Sequence, residues 1–409
     1  MGRLYWMFVV GRAISVLGDG FATIAMGWLV YDLTGSKLAM GSLYLAGMVP
    51  EIVLRLVGAP LIDRLNRTRL MAVLDTAQTV AYLTPLVLSL TGHLQLWHLY
   101  ALYVASGIAH SLYRPSVMAV VPSLVKPEQL TKATATLDGL LNMALVTGPV
   151  VAGFVMVYLS GPWALAFDAL SFGISALMLY GITAGLSAAG ASKRQVTGGS
   201  YFGQLIEGFA FFKQVPALFL LSLMLGISNV SAWAIFALHA PYVKEHLHAG
   251  PEIVGFMQAC WPLGFLLGTL LISRVGEIKS RRTLMLGALA GAGIALGGLG
   301  FVPTGMVAPA LALKVLEGFS FSLFSNSSTV LFQRMAPGRL LGRVMSVRML
   351  LAWGGNPLGA FLGALLSERV GIPPTFVLAG ALSLVVGLAG FAIPTLRDVD
   401  GELKPVELA

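Results

Sequence analysis

The sequence predicts an all-α membrane protein with twelve transmembrane helices in two six-helix repeats and both termini cytoplasmic. Three observations carry this. Of 409 residues, 57% are hydrophobic and only 11% charged. A soluble chain carries about a quarter charged residues, and a water-facing surface cannot be built from so few. Apolar runs of about 20 residues, each able to cross a bilayer as a helix, recur along the chain. Finally, the basic residues crowd into alternate connections between those runs.

In the first half the runs lie at 5–31, 38–61, 70–91, 97–121, 134–159 and 163–187. In the second half they lie at 216–243, 251–273, 283–301, 305–332, 341–366 and 373–394. The first begins MGRLYWMFVVGRAISVLGDG, with a one-arginine lead and charges at Arg12 and Asp19, and reads as a retained helix rather than a signal peptide. With the N-terminus inside, the inner connections hold 18 of the 26 Lys and Arg, the outer ones three, and the spans five. That bias places both termini in the cytoplasm. It also accounts for the net charge of +8 without a nucleic-acid partner. The four charges between Asp63 and Arg69 then form a short cytoplasmic hairpin between the second and third helices.

The longest connection, 188–215, contains AAGASKRQVTGGSY followed by YFGQLIEGFAFFKQ, a flexible stretch and then a short interfacial helix. It divides the chain into an N-terminal six-helix bundle (1–187), a cytoplasmic linker (188–215), a C-terminal six-helix bundle (216–394) and a tail (395–409). A shift of 210 residues superposes Gly58 on Gly268 and Arg64 on Arg274; a shift of 211 superposes Gly107 on Gly318 and Leu130 on Leu341. Repeats of this kind are a transporter architecture.

Several functions are disfavoured. The single cysteine, Cys260, permits no intramolecular disulfide or multi-cysteine metal cluster, and no metal site is expected. There is no phosphate-binding G-x-x-x-x-G-K-[ST] loop, so no nucleotide or other cofactor is expected, the energy source being the proton-motive force. No nucleophile, base and orienting acid converge, so the chain is read as no enzyme.

Ionisable residues inside spans are costly and mark cavities or partners. Asp19 lies midway along the first helix between Gly18 and Gly20, which leave room for ligand or water; it serves either coupling or substrate binding, or a structural hydrogen bond. Arg12, seven residues earlier, shares its helical face about 10 Å away. Glu51 and Arg55 stand at i, i+4 and Lys314 and Glu317 at i, i+3, each able to form a static pair or to supply a titratable group. Asp138 and Asp168 are read as lying near helix ends in interfacial water. Asn229, Trp233, Phe236, Phe321 and Asn326 are candidates for lining a cavity for a large amphiphilic molecule, packing being the plainer role for any one of them.

The hairpin GAPLIDRLNRTR, with Gly58, Asp63, Arg64 and Arg67, resembles the cytoplasmic signature of the major facilitator superfamily. Gly148-Pro149-Val-Val-Ala-Gly153 is similar to its antiporter motif. WLVYDLTGS, FDALSF and GRVMSVRMLLAWGGNPLGA resemble the macrolide-efflux and enterobactin-exporter branch of its drug:proton antiporters. The resemblance implies the major facilitator fold and a gate in which Asp63 meets the N-terminus of the eleventh helix, with Arg114 a possible partner and Gly268 and Arg274 the second-half counterparts. Two positions depart from the pattern: the arginine of many proton-driven exporters is replaced by Tyr103-Val-Ala-Ser106-Gly107, and Ser273 stands where the second half would carry an acid.

The expectation is a multi-pass secondary transporter of the bacterial inner membrane. It would export hydrophobic or amphiphilic small molecules in exchange for protons, by alternating access, as a monomer among membrane lipids. The alternatives are a siderophore or lysophospholipid transporter, a nutrient symporter, or a membrane sensor or scaffold.

Overall fold

The computed structural model describes residues 1–57, 66–188, 201–275 and 280–400, and these are helical with short connections. The longer helices are α1 (Arg3–Thr34), α2 (Lys37–Val57), α3 (Arg67–Leu90), α4 (Leu96–Leu124), α5 (Leu130–Tyr158) and α6 (Gly161–Ala188). They continue with α7 (Tyr201–Gln214), α8 (Pro216–Phe236), α9 (Pro251–Val275), α10 (Arg281–Gly298), α11 (Val307–Met335), α12 (Leu341–Trp353), α13 (Asn356–Val370) and α14 (Ile372–Ala392). Eleven stretches of the described residues are long and apolar enough to cross a membrane.

Local chemistry explains the boundaries. Helix α1 stops at Gly35, whose φ of 62° is left-handed and whose N–H returns to the Tyr31 carbonyl, a geometry glycine adopts without Cβ strain. Helix α3 starts where the Asn66 side chain accepts the Arg69 N–H at 3.1 Å, satisfying one of the helix's free donors.

Two expected spans remain long and apolar enough to cross a membrane but are not unbroken α-helices over their expected bounds. The run 341–366 is broken, because Gly354 and Gly355 end α12 and Pro357, which lacks an N–H, opens α13. The run 216–243 leaves α-helical geometry after Phe236, passing through His239–Pro241 into a π turn at Tyr242–His246. A helix, α7, forms within the linker, with Phe211 and Phe212 buried and Ile206 and Phe209 exposed.

The chain divides into two compact units. The first comprises Met1–Ala39, Leu43–Gly198 and Ala249–Ala259. Here α1 packs along α5 and α6, and α3 along α6 and α4. Gly20 of α1 lies on the α5 backbone, where a Cβ would come within 2.6–2.9 Å of Gly148 and Pro149. The Tyr5 hydroxyl donates to the Ala133 carbonyl at 2.7 Å, tying the other end of α1 to α5.

The second unit comprises Met40–Ser42, Gly199–His248 and Cys260–Ala409. There α10 packs along α14 and α11, and α8 along α13 and α14. Ser228 and Ser383 share a buried 2.7 Å hydrogen bond between α8 and α14. The residues superposed by the internal shift do the same work in their own units: Gly107 lets α4 approach the α2 backbone at Gly47, and Gly318 lets α11 approach the α9 backbone at Trp261.

Candidate functional site

In the first unit, Asp19 and Glu51 line one cavity. Its wall is completed by Thr23 of α1, Gly47 and Met48 of α2, Tyr82 of α3, and Tyr103, Ser106, Gly107 and His110 of α4. Gly47 and Gly107 bring α2 and α4 together. The Tyr82 hydroxyl donates to Ser106 Oγ at 3.1 Å, fixing two polar walls to each other. The accessible volume is about 90 Å³. A water occupies about 30 Å³ in the liquid and drug-sized ligands need about 300 Å³ or more, so this space suits water and protons rather than cargo. Tyr103, Ser106 and Gly107 are the residues found where the exporter pattern has its arginine, and here they form the wall facing the carboxylates. A larger cavity of about 440 Å³, near the far ends of α1 and α5, has Asp32 as its charged lining residue.

Behind Asp19 the helices close on a buried polar cluster. Asp168 of α6 is 0% exposed and Asp75 of α3 is 1% exposed. Ser171 Oγ donates to Asp168 Oδ1 at 3.2 Å, and the Tyr113 hydroxyl to Asp75 Oδ2 at 3.1 Å. The Arg12 guanidinium sits 4.8 Å from the Tyr113 ring centroid and donates to Ser15 Oγ at 3.0 Å. Asp19 lies within electrostatic range of both buried carboxyls, and Arg12 within range of Asp75.

Two expectations about this region are corrected. Asp168 does not reach interfacial water. Helix α6 begins at Gly161, two turns earlier, and carries Asp168 into its packed face against α1. Gly18 does not leave room for a ligand: Asp168 and Ser171 occupy the space a Cβ would take, just as the α5 backbone fills the space beside Gly20. Asp138 is exposed.

In the second unit, Lys314 and Glu317 meet each other at 2.5 Å, both 4% exposed, as the i, i+3 spacing allows. Among the cavity candidates, Asn229 donates to the Ala352 carbonyl at 2.7 Å, and Asn326 donates to Thr269 at 2.9 Å and Ser322 at 3.1 Å. Both amides therefore join helices. Phe321 packs on Trp261 at 5.3 Å, and Trp233 on Phe236 at 4.7 Å. Gly268 seats α9 on the Phe319 carbonyl and Ser322 of α11, and Arg274 is exposed in the last turn of α9. Arg67 opens α3. Gly148, Pro149 and Gly153 are buried on α5. Gly58, Asp63 and Arg64 lie outside the described residues, as do the side chains of Arg55 and Arg114.

Sequence reasoning missed His239 and Arg348. His239 is buried beside Phe236 with no hydrogen-bond partner for either ring nitrogen among the described residues. Arg348 donates to Ser328 at 2.7 Å and Thr329 at 2.9 Å and covers the Phe332 ring at 4.7 Å. An arginine in a span was the available signal for the second; a histidine in an apolar run carried none.

A profile of the transmembrane secretion effector family, a branch of the major facilitator superfamily, matches residues 3–407. The chain belongs to that family. The transporter is 26% identical over 400 residues to the multidrug efflux pump Tap of Mycolicibacterium fortuitum, covering 95% of each chain. It is 24% identical over 396 residues to macrolide efflux protein A of Streptococcus pyogenes, covering 97% of each. Its fold resembles that of a bacterial homologue of the iron transporter ferroportin in an inward-facing state, with a TM-score of 0.74 at 20% identity over 98% of this chain and 99% of that one. The transporter is accordingly a multi-pass protein of the bacterial inner membrane.

Proposed function

We propose that the transporter exports hydrophobic or amphiphilic small molecules in exchange for protons. The observation that carries this reading is the placement of Asp19 and Glu51, on different helices, in one water-sized cavity walled by Tyr82, Tyr103 and His110. A carboxylate midway across a membrane is costly unless it has a partner or water, and transporters use such groups as proton sites. Protonation of Asp19 or Glu51 from outside would compete with cargo and favour return of the cargo cavity to the inside. The names of the efflux relatives support cargo of this class.

The accompanying reading has twelve crossings, with α4 the twelfth and both termini cytoplasmic. Two six-helix bundles, 1–187 and 216–394, rock about a linker at 188–215, as a monomer in lipid and with no cofactor beyond the proton gradient. The faces carrying Trp233, Phe236 and Phe321 would receive cargo, and the hairpin with Asp63 and Arg64 would latch the cytoplasmic side.

The test uses purified transporter in proteoliposomes under an imposed pH gradient, with a panel of macrolides, dyes, siderophores and lysolipids. Cargo-dependent proton flux that disappears in the Asp19→Asn, Glu51→Gln double variant supports antiport. Retention of proton-driven transport by that variant removes the reading.

A further inference from the structure

Behind Asp19 the transporter buries more carboxyl groups than its buried cations can balance. Asp168 faces Asp19 from α1 and Asp75 and Tyr82 from α3, with Tyr113 of α4 beyond Asp75 and Arg12 of α1 within range of Asp75; α5 brings it no charged side chain among the described residues. The guanidinium of Arg12 thus lies in range of Asp75, while Asp168 has two carboxyls, Asp19 and Asp75, in its field. Ionisation of Asp168 beside Asp75 and Asp19 would place an uncompensated negative charge in a low-dielectric core, and removing one unpaired charge from water is strongly unfavourable. The hydrogen bonding agrees. Asp168 Oδ2 and Asp75 Oδ1 are buried with no hydrogen-bond partner among the described residues, an arrangement far less costly for a neutral carboxyl than for a carboxylate.

The two buried acids are not equivalent. Asp75 has Tyr113 as a donor and Arg12 in electrostatic range. Among the described residues Asp168 has only the hydroxyl of Ser171 as a side-chain donor, three residues on in the same helix. It also stands nearest the proposed coupling residue, because its Oδ1 fills the space over Gly18, the residue before Asp19. Any movement of α1 along α6 at Gly18 changes the setting of Asp19 and Asp168 together.

We propose that Asp168 is a second proton-binding residue of the transport cycle, linked to Asp19 across the α1–α6 contact at Gly18. The inference rests on the antiport reading of Asp19. Each carboxylate takes up one proton as an O–H bond and releases it in the other half of the cycle; no other bond changes. Ser171 is a positioning residue that orients Asp168 Oδ1.

Two measurements test this. Infrared difference spectra of the purified wild type between acid and alkaline pH should contain a protonated-carboxyl carbonyl band that Asp168→Asn removes and Ser171→Ala displaces. In proteoliposomes, with the cargo that gives flux in the wild type, Asp168→Asn should lower the number of protons moved per cargo by about half. Ser171→Ala serves if Asp168→Asn fails to fold, since it leaves the Asp168 carboxyl and that carboxyl's contact over Gly18 in place. An unchanged carbonyl band in both variants overturns the proposal. So does an unchanged proton-to-cargo ratio in Asp168→Asn when Asp19→Asn abolishes the flux, and in that case the antiport reading survives. A wild type that moves cargo with no proton flux overturns both.

Discussion

Tyr113 holds Asp75: its hydroxyl on α4 donates to Asp75 Oδ2 on α3 at 3.1 Å, beneath the Arg12 guanidinium. This contact joins three helices at a point where Asp75 and Tyr113 are buried. Tyr113→Phe is expected to leave a buried carboxyl oxygen without its donor and cost about 1–3 kcal/mol. Tyr82→Phe, which removes a bond to the hydroxyl of Ser106, should cost less, about 0.5–1.5 kcal/mol. Thermal unfolding of the two variants in the same detergent gives the order, and equal losses would contradict it.

Gly20→Ala should separate α1 from α5, since its Cβ would lie 2.6–2.9 Å from backbone atoms of Gly148 and Pro149 that cannot swing aside. Drug efflux in whole cells should fall several-fold at matched protein levels. Gly139→Ala, on the exposed side of α5 where a Cβ meets nothing within 4 Å, should be neutral or stabilise by up to about 1 kcal/mol. Matched efflux in the two variants would remove close packing as the role of Gly20.

Lys314→Ala is expected to destabilise the second unit by about 3–5 kcal/mol, because it strands the Glu317 carboxylate in the core. The double variant Lys314→Met, Glu317→Leu should recover much of that loss, since an apolar pair replaces an ion pair without leaving a lone charge. Folded yield and the thermal midpoint are the readouts. A double variant worse than the single one would show that the pair contributes more than mutual neutralisation.

Arg348→Lys should not be tolerated as a conservative change. The guanidinium reaches Ser328 and Thr329 while lying over Phe332, a fork and a stack that an ammonium cannot reproduce together. A loss of about 1–3 kcal/mol is expected from the stranded hydroxyls and buried charge. A wild-type melting curve for Arg348→Lys would rule out this geometry.

Much of the fold was legible in the sequence because bilayer crossing is a local property: a run of about 20 apolar residues either exists or does not. The structural helix ends at Gly35 and Asn66 rest on equally local chemistry, whereas the break at Gly354, Gly355 and Pro357 was hidden inside a run that stayed apolar throughout. The site was legible in part. Asp19 and Glu51 stood out because an acid in a span is improbable without a use. Asp168 was misplaced because position along a helix says nothing about what packs against it; the small residue that admits it, Gly18, lies 150 residues away.

By itself, then, the sequence determined that the chain is helical, that it belongs in a membrane, and where its charges stand along each helix. These follow from hydropathy and spacing, which neighbours in the chain fully specify. Only the tertiary structure decided which charges meet. It set Asp19 and Glu51 on one cavity, gathered Asp75 and Asp168 behind them with Arg12 in range of Asp75, and committed Asn229 and Asn326 to helix joints. The physical reason is that pairing and burial depend on rotations of whole helices about their axes. Those rotations are set by the summed packing of small residues such as Gly18, Gly20, Gly47 and Gly107 against backbones far away in sequence.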